Sequence, residues 1–215
     1  MKSDLLAWVS LLIIVSNLYL LSSSRLASLI KGVAFQGILL GALSLLMAGH
    51  SASYHLIFLA ILSIAVKGIL IPFYLSKLVR GVKELRDANP VIGYSLSMFI
   101  GVVISCFAFY ILQKAPFVHA FVSVFHGASA ISTAGIGLFL IITSRNVIRQ
   151  IIGFLVFENA SFIFGLSIAL YQPLFVEMGI LLDTFAGVLI MVIAAKRILT
   201  VHQSISVRSL ERLSK

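Results

Sequence analysis

The chain is dominated by apolar runs of about 20 residues, each bounded by polar or charged residues. A helix needs about 20 apolar residues to cross the hydrocarbon core of a bilayer, and inside lipid its backbone must be hydrogen-bonded within the segment. The sequence therefore predicts an all-α polytopic membrane protein with seven transmembrane helices. The predicted spans are residues 4–22, 26–48, 53–75, 92–112, 119–142, 148–170 and 174–195.

Composition excludes several other classes. The chain is 60% hydrophobic and 11% charged, outside the range of soluble domains, and its runs are too long for the alternating strands of a β-barrel. A net charge of +9 does not indicate nucleic acid, because the basic residues cluster at the ends of the runs. Cys106 is the only cysteine, and no phosphate-binding loop or metal motif occurs. We expect no cofactor and no catalytic centre in this chain.

The basic residues also predict orientation. On one side of the membrane, the basic residues in the connections are Lys2 and Lys114 alone. On the other side, the connections carry Arg25, Arg145, Arg149 and further basic residues in 76–91 and 196–215. By the positive-inside rule, the amino terminus faces out and the carboxyl terminus faces the cytoplasm. An odd number of spans also requires the two termini to lie on opposite sides of the membrane. We divide the chain into a four-helix region (1–112), a three-helix region (113–198) and a basic cytoplasmic tail (199–215).

The last two predicted spans contain three of the seven acids: Glu158, Glu177 and Asp183. Ionisable residues at membrane depth mark ion or proton pathways. Glu158 and Asp183 each lie about ten residues into their span, near the midplane of the bilayer. Gly179 and Gly187 flank Asp183 by one turn, so a neighbouring helix can approach closely and the acid faces protein. Glu177 is either the mouth of a pathway or an interfacial acid. A permanently protonated Asp183 is the structural alternative.

Two further ionisable residues are candidates for the same pathway. Lys67 lies in the middle of the third span, five residues before Pro72, which has no N–H to donate to the Gly68 carbonyl. A buried lysine carries protons or switches a neighbouring acid; the alternative is a static ion pair with Glu158 or Asp183. His126 extends a relay or is simply hydrogen-bonded. Lys31 is interpreted as an anchor at the cytoplasmic interface.

The segments SRNVIRQIIGFLVFENAS and LFVEMGILLDTFAGVLIMVIAAKRI closely resemble component E of hydrogenase-4-type complexes, which are membrane-bound nickel–iron hydrogenases. The region 119–200 is also similar to small subunit K of respiratory complex I and to the C subunit of multisubunit cation/proton antiporters. The shared features are Arg145-Asn146, Gly153, Asn159-Ala160 and an acid four residues before Gly187.

This resemblance implies roles for particular residues. Asp183 falls on the second membrane carboxylate of subunit K. The first carboxylate position is Leu155 here, and Glu158 lies about one turn further along the same face. Gly153 and Asn159 are expected to pack near the path.

The resemblance also implies a setting. It is a prokaryotic cytoplasmic membrane complex in which a peripheral arm does redox chemistry and antiporter-like and linking subunits move protons or sodium. The leading hypothesis is a non-redox linking subunit with a buried proton or cation path. The alternatives are an antiporter subunit, a stand-alone secondary transporter, or a purely structural linker.

Overall fold

The computed structural model describes residues 2–48, 54–80, 91–114 and 124–168, together with the single residues 187, 189 and 193. All the regular elements in these ranges are helices. They are α1 (Lys2–Ser22), α2 (Leu26–Ala48), α3 (Tyr54–Ser63), a π-helical segment (Ile64–Leu70), α4 (Ile71–Arg80), α5 (Tyr94–Lys114), α6 (Val124–Ile142) and α7 (Val147–Ile168). The α3 helix, the π segment and α4 are continuous and are called the third span.

Six stretches in the described ranges are long and apolar enough to cross a membrane. They are Asp4–Ser22, Leu26–Met47, Ala60–Lys77, Tyr94–Lys114, Val124–Ile142 and Val147–Leu166. The prediction of an all-α, multi-pass membrane protein is confirmed. The third span continues to Arg80, beyond the predicted end at residue 75. The predicted seventh span, 174–195, lies outside the described residues except for 187, 189 and 193, so the count of seven stays a prediction.

Local hydrogen bonds set the helix starts at one end of the bundle. The Arg25 carbonyl accepts bonds from the N–H groups of Ser28 (3.0 Å) and Leu29 (3.2 Å), so α2 begins directly after a turn of a few residues. The Asn146 side chain accepts the N–H of Ile148 at 2.9 Å and caps α7. Both short turns lie at the same end of the bundle and join antiparallel helices.

Two inter-helix contacts show that α1 and α6 run parallel. Ser10 bonds His126, and seven residues further along both helices Asn17 bonds Thr133. Equal spacing in the same sense on both helices is possible only for parallel neighbours. The α5 helix is antiparallel to α6, because Ser105 contacts Ser132 and Phe109 contacts Phe125. Successive described spans therefore alternate in direction, as consecutive transmembrane helices must.

Glycines allow the closest helix contacts. A Cβ on Gly137 of α6 would lie 2.5 Å from the backbone nitrogen of Phe157 in α7, and one on Gly153 would lie 3.0 Å from the Gly137 carbonyl oxygen. A Cβ on Gly37 of α2 would lie 2.7 Å from the backbone of Lys67 and Gly68. These separations leave no room for a side chain, so glycine sets how closely the backbones approach.

The apolar interior is divided into two clusters along the bundle axis. The first lies toward the Arg25 end and includes Leu20, Leu29, Leu75, Leu140 and Ile152. The second lies toward the opposite end and includes Ile13, Leu40, Ala130, Phe162 and Ile163. In α1, α2, the third span, α6 and α7, buried polar residues occur in sequence between the members of the two clusters. The two apolar clusters therefore enclose a polar layer at mid-depth.

Replacing Gly137 with alanine tests the α6–α7 contact. Because the new Cβ meets the Phe157 backbone, we expect the free energy of unfolding to fall by about 1–3 kcal/mol, which is the usual cost of adding an atom to a closely packed interior. The measurement is denaturant or thermal unfolding of the detergent-solubilised chain.

Gly165→Ala is the matched control, because a Cβ there meets nothing within 4 Å. Alanine is the better helix former, so this variant is expected to be unchanged or more stable. Equal losses in the two variants contradict the close contact.

Candidate functional site

The polar layer consists of six buried side chains from five helices. Five of them lie at least nine residues from the described ends of their spans, far from the bilayer surface, and the sixth, Asn17, is buried five residues from the end of α1. Buried polar groups are stable in such a place only when they are paired with one another. The members are Asn17, Gln36, Lys67, Thr133, Glu158 and Asn159.

An ion pair forms the centre of the layer. Lys67 Nζ donates to Glu158 Oε1 at 2.6 Å, and the two residues are only 2% and 7% exposed. The same ammonium donates to Asn159 Oδ1 at 3.4 Å and lies 4.7 Å from the centroid of the Phe162 ring. Glu158 Oε2 is buried and has no hydrogen-bond partner among the described residues. One carboxylate oxygen is thus held by the lysine, while the other is left to accept a further bond.

The backbone around Lys67 departs from an α-helix. Residues Ile64–Leu70 form a π-helical segment that ends directly before the Ile71-Pro72 pair, and the Ile71 N–H bonds the carbonyl of Val66, five residues earlier. Such segments are rare and frequently occur at functional sites. Because Gly37 lets the α2 backbone approach this segment, Lys67 is placed against α2 on one side and α7 on the other.

A chain of side-chain hydrogen bonds continues from the ion pair across the bundle. Asn159 Nδ2 donates to Gln36 Oε1 at 3.3 Å, and Gln36 Nε2 donates to Asn17 Oδ1 at 2.7 Å. Asn17 Nδ2 then donates to Thr133 Oγ1 at 2.8 Å. Gln36 Nε2 is also 2.9 Å from Ser16 Oγ. The layer is therefore one connected network from Glu158 in α7 to Thr133 in α6.

His126 lies two turns from this network on α6, toward the end with the predicted outer connections. Its Nδ1 is 2.8 Å from Ser10 Oγ, and the ring is fully buried against α1. Thr133 Oγ1 donates to the carbonyl of Ser129 at 2.6 Å, and Ser129 Oγ donates to the carbonyl of His126 at 2.8 Å. Hydroxyl groups thus line the α6 surface between the histidine and the layer, and the ring itself packs at the α1 interface.

The predicted site residues have different outcomes. The structure brings Lys67, Glu158 and Asn159 together and places Gly153 at the α6–α7 contact. Gly187, from the predicted seventh span, lies against the Phe154 ring of α7, which a Cβ would approach to 3.3 Å. The remaining three, Glu177, Gly179 and Asp183, lie outside the described residues. Their part in the site stays a prediction.

Sequence reasoning predicted Asn159 but missed the other two amides, Asn17 and Gln36, and Thr133. The available signal was an uncharged amide in the middle of an apolar run, as in IIVSNLYL around Asn17 and VAFQGIL around Gln36. An uncharged amide costs less free energy inside the membrane than a charge does, so it is a weaker signal of a functional site. The structure shows that they connect the ion pair to α1 and α6.

Arg149 requires a correction. The charge pattern assigns it to the basic residues of a cytoplasmic connection, but it lies in the first turn of α7 and is 0% exposed. Its guanidinium carbon is 6.0 Å from the Tyr94 ring centroid, and the described part of the chain offers its nitrogens no acceptor with hydrogen-bond geometry. Arginine near a helix start is usually solvated at the interface, so the sequence gives no sign of this burial.

The arrangement resembles a charge-holding site more than a metal site. In the described ranges, no group of three or more His, Cys, Asp or Glu side chains converges as metal ligands do. An ammonium, a carboxylate and surrounding amides can hold, accept or release a proton, and they can orient water.

Comparison with known proteins agrees with this description. Residues 126–215 match the family described as NADH-ubiquinone/plastoquinone oxidoreductase chain 4L. Hydrogenase-4 component E of Escherichia coli (strain K12) is 26% identical over 149 residues, which cover 68% of each chain. The same description and identity apply to a relative from Shigella flexneri. An uncharacterised protein of Mycobacterium tuberculosis, Rv0085, is 25% identical over 174 residues, covering 80% of this chain and 79% of its own.

No solved structure matches the chain. The fold and the matches define a polytopic membrane protein of the complex I-related type. The chain is similar to hydrogenase-4 component E over about two thirds of its length, and its residues 126–215 match the chain 4L family. The family resemblance of the sequence is confirmed.

Replacing one or both members of the ion pair tests how the site is held. Lys67→Met leaves the Glu158 carboxylate buried without its cation, and we expect the unfolding free energy to fall by about 3–5 kcal/mol. The double variant Lys67→Met/Glu158→Met removes both charges and is expected to recover most of that loss. Unfolding of the purified chain in detergent measures both.

Lys114→Met is the control, because Lys114 is an exposed lysine whose ammonium donates to Tyr110 Oη at 2.7 Å, one turn away on its own helix. It is expected to unfold like the unmodified chain. A double variant no more stable than Lys67→Met contradicts a balanced, desolvated pair.

Proposed function

We propose that this chain is a non-redox membrane subunit of a hydrogenase complex of the complex I-like type, and that its polar layer forms part of a proton or cation path. The similarity to hydrogenase-4 component E and the match of residues 126–215 to the chain 4L family support the setting. The proposed partners are other membrane subunits, some antiporter-like and some linking, with the peripheral redox arm as an indirect partner. The matched relatives are bacterial, which supports a prokaryotic cytoplasmic membrane.

The single observation that carries the proposal is the desolvated Lys67–Glu158 pair, in which one carboxylate oxygen remains open. Apolar side chains can replace a purely structural ion pair at little cost in stability, whereas two buried charges need several compensating hydrogen bonds. The presence of the charged pair therefore favours a functional role. A proton that reaches Glu158 Oε2 neutralises the carboxylate and weakens its hold on the ammonium. Lys67 is then able to release a proton in turn.

The amides have a different role from the ionisable residues. Asn159, Gln36 and Asn17 do not release protons near neutral pH, so they do not carry charge themselves. They fix the position of the ammonium and offer their remaining bonds to water. Asp183 and Glu177 enter the proposed path on the sequence alone, as the next carrier and as the outer mouth. His126 enters as an extension along α6, through the hydroxyl groups of Ser129 and Thr133.

The test uses the assembled complex in inverted membrane vesicles. Glu158→Gln and Asp183→Asn keep side-chain size while removing the titrating group, so we expect hydrogen turnover to persist and coupled proton translocation to fall at least about tenfold, the scale of losing a proton-transfer group. The charge-balanced double variant Lys67→Met/Glu158→Met is expected to assemble and to be equally uncoupled. Proton uptake is followed with a pH-sensitive dye beside hydrogen turnover in the same vesicles.

Unchanged translocation in these variants supports a purely structural linker. Lys114→Met, at an exposed lysine, is the control and keeps both activities. Cation/proton exchange by the purified chain alone in liposomes supports a stand-alone transporter instead. Co-purification without a hydrogenase large subunit, but with antiporter subunits, supports the antiporter assembly.

We further propose seven spans with the amino terminus outside and the carboxyl terminus in the cytoplasm. The alternating directions of the described helices and the basic residues at the Arg25 end support this topology. A fluorescent protein fused after residue 215 is expected to fluoresce, and alkaline phosphatase fused there is expected to be inactive. Phosphatase inserted after Lys114 is expected to be active. The opposite pattern at either site contradicts the orientation.

A further inference from the structure

A cavity separate from the polar layer lies on the outer surface of the bundle, between α2 and α4. Its volume is about 410 Å³, within the range of sites that hold small ligands. It is partly open to the surroundings of the protein. Its walls are formed by Ile30, Lys31, Ala34, Pro72, Phe73, Ser76 and Lys77.

The cavity lies at the depth of lipid headgroups. Lys31 is five residues inside α2 and Lys77 is three residues from the end of α4, which puts both within roughly 5–8 Å of the helix ends. These are the ends beside the Arg25 turn, on the side that carries most of the basic residues. Both lysines are exposed.

The described residues provide no anion for the two ammonium groups. No lining residue is acidic, and the described ranges contain only two acids, Asp4 and Glu158. Glu158 is bonded to Lys67 in the polar layer, and Asp4 is in the first turn of α1, at the opposite end of the bundle. Two cations lining one cavity repel each other until an anion lies between them.

The wall toward the membrane centre is apolar. Ala34, Pro72 and Phe73 lie deeper than the two lysines and form it, and Phe73 is 65% exposed. A ligand that fills the cavity therefore carries negative charge at one end and hydrocarbon at the other. Basic pockets between transmembrane helices on the cytoplasmic side bind anionic lipid headgroups.

We propose that this cavity is a binding site for an anionic phospholipid. Its phosphate lies between Lys31 and Lys77, and an acyl chain follows the groove past Pro72 and Phe73. Ser76 donates a further hydrogen bond to the headgroup. The lipid holds α2 against α4 directly beside the π segment that positions Lys67. This site does not depend on the proposed proton path.

The test measures lipid binding to the full-length chain in a mild non-ionic detergent, by native mass spectrometry and by lipid-dependent thermal stabilisation. The probes are phosphatidylglycerol and cardiolipin, with phosphatidylcholine for comparison. Each lysine near an anionic headgroup contributes about fivefold in affinity, so Lys31→Gln/Lys77→Gln is expected to bind phosphatidylglycerol about 25-fold more weakly. Binding is also expected to weaken with added salt.

Two variants control for charge and folding. Lys31→Arg/Lys77→Arg keeps the cations and is expected to retain binding, and Lys114→Gln removes a lysine outside the cavity and is expected to change nothing. Equal affinity for phosphatidylcholine, or unchanged binding in the double Gln variant, overturns the proposal. It is also overturned if millimolar inorganic phosphate stabilises the chain as much as the lipid does. A third contrary result is that, in the assembled complex, a partner subunit rather than lipid protects Lys31 and Lys77 from chemical labelling.

Discussion

The buried pair of Lys67 and Glu158 is the interaction on which the rest of the described structure depends. Neither charge has access to bulk water, so each is stable only while the other is at bonding distance. That requirement fixes the third span against α7. Asn159 and the Phe162 ring supply further favourable contacts to the ammonium, and the amides carry the bonding on to α1 and α6.

Close backbone contacts make this pairing possible. Van der Waals packing, interhelical hydrogen bonds and lipid entropy drive helix association in lipid, because lipid tails are as apolar as leucine. Gly37 brings α2 against the π segment, and Gly137 brings α6 against α7. The two apolar clusters then exclude lipid from above and below the polar layer. The fold thus places a charged site at mid-membrane without exposing it to hydrocarbon.

Some residues of the site were recognisable in the sequence and others were not. Lys67 and Glu158 were predicted because an ionisable residue inside an apolar run is costly wherever it points. Gln36, Asn17 and Thr133 were missed because their importance depends on which helix faces which, a non-local property. The burial of Arg149 was missed for the same reason, because it depends on α7 packing against Tyr94 at the start of α5.

By itself, the sequence determined the class of protein and the positions of the described spans, because helix length and hydropathy are set locally by the thickness and polarity of the bilayer. It also left two partners open for Lys67, namely Glu158 and Asp183. Only the tertiary structure shows that Glu158 bonds Lys67, through the approach of α7 to the third span. It also decided that Asn159 contacts the ammonium and that Gln36 and Asn17 continue the hydrogen bonding from it. Pairing across helices 91 residues apart is set by packing geometry, which no local pattern encodes.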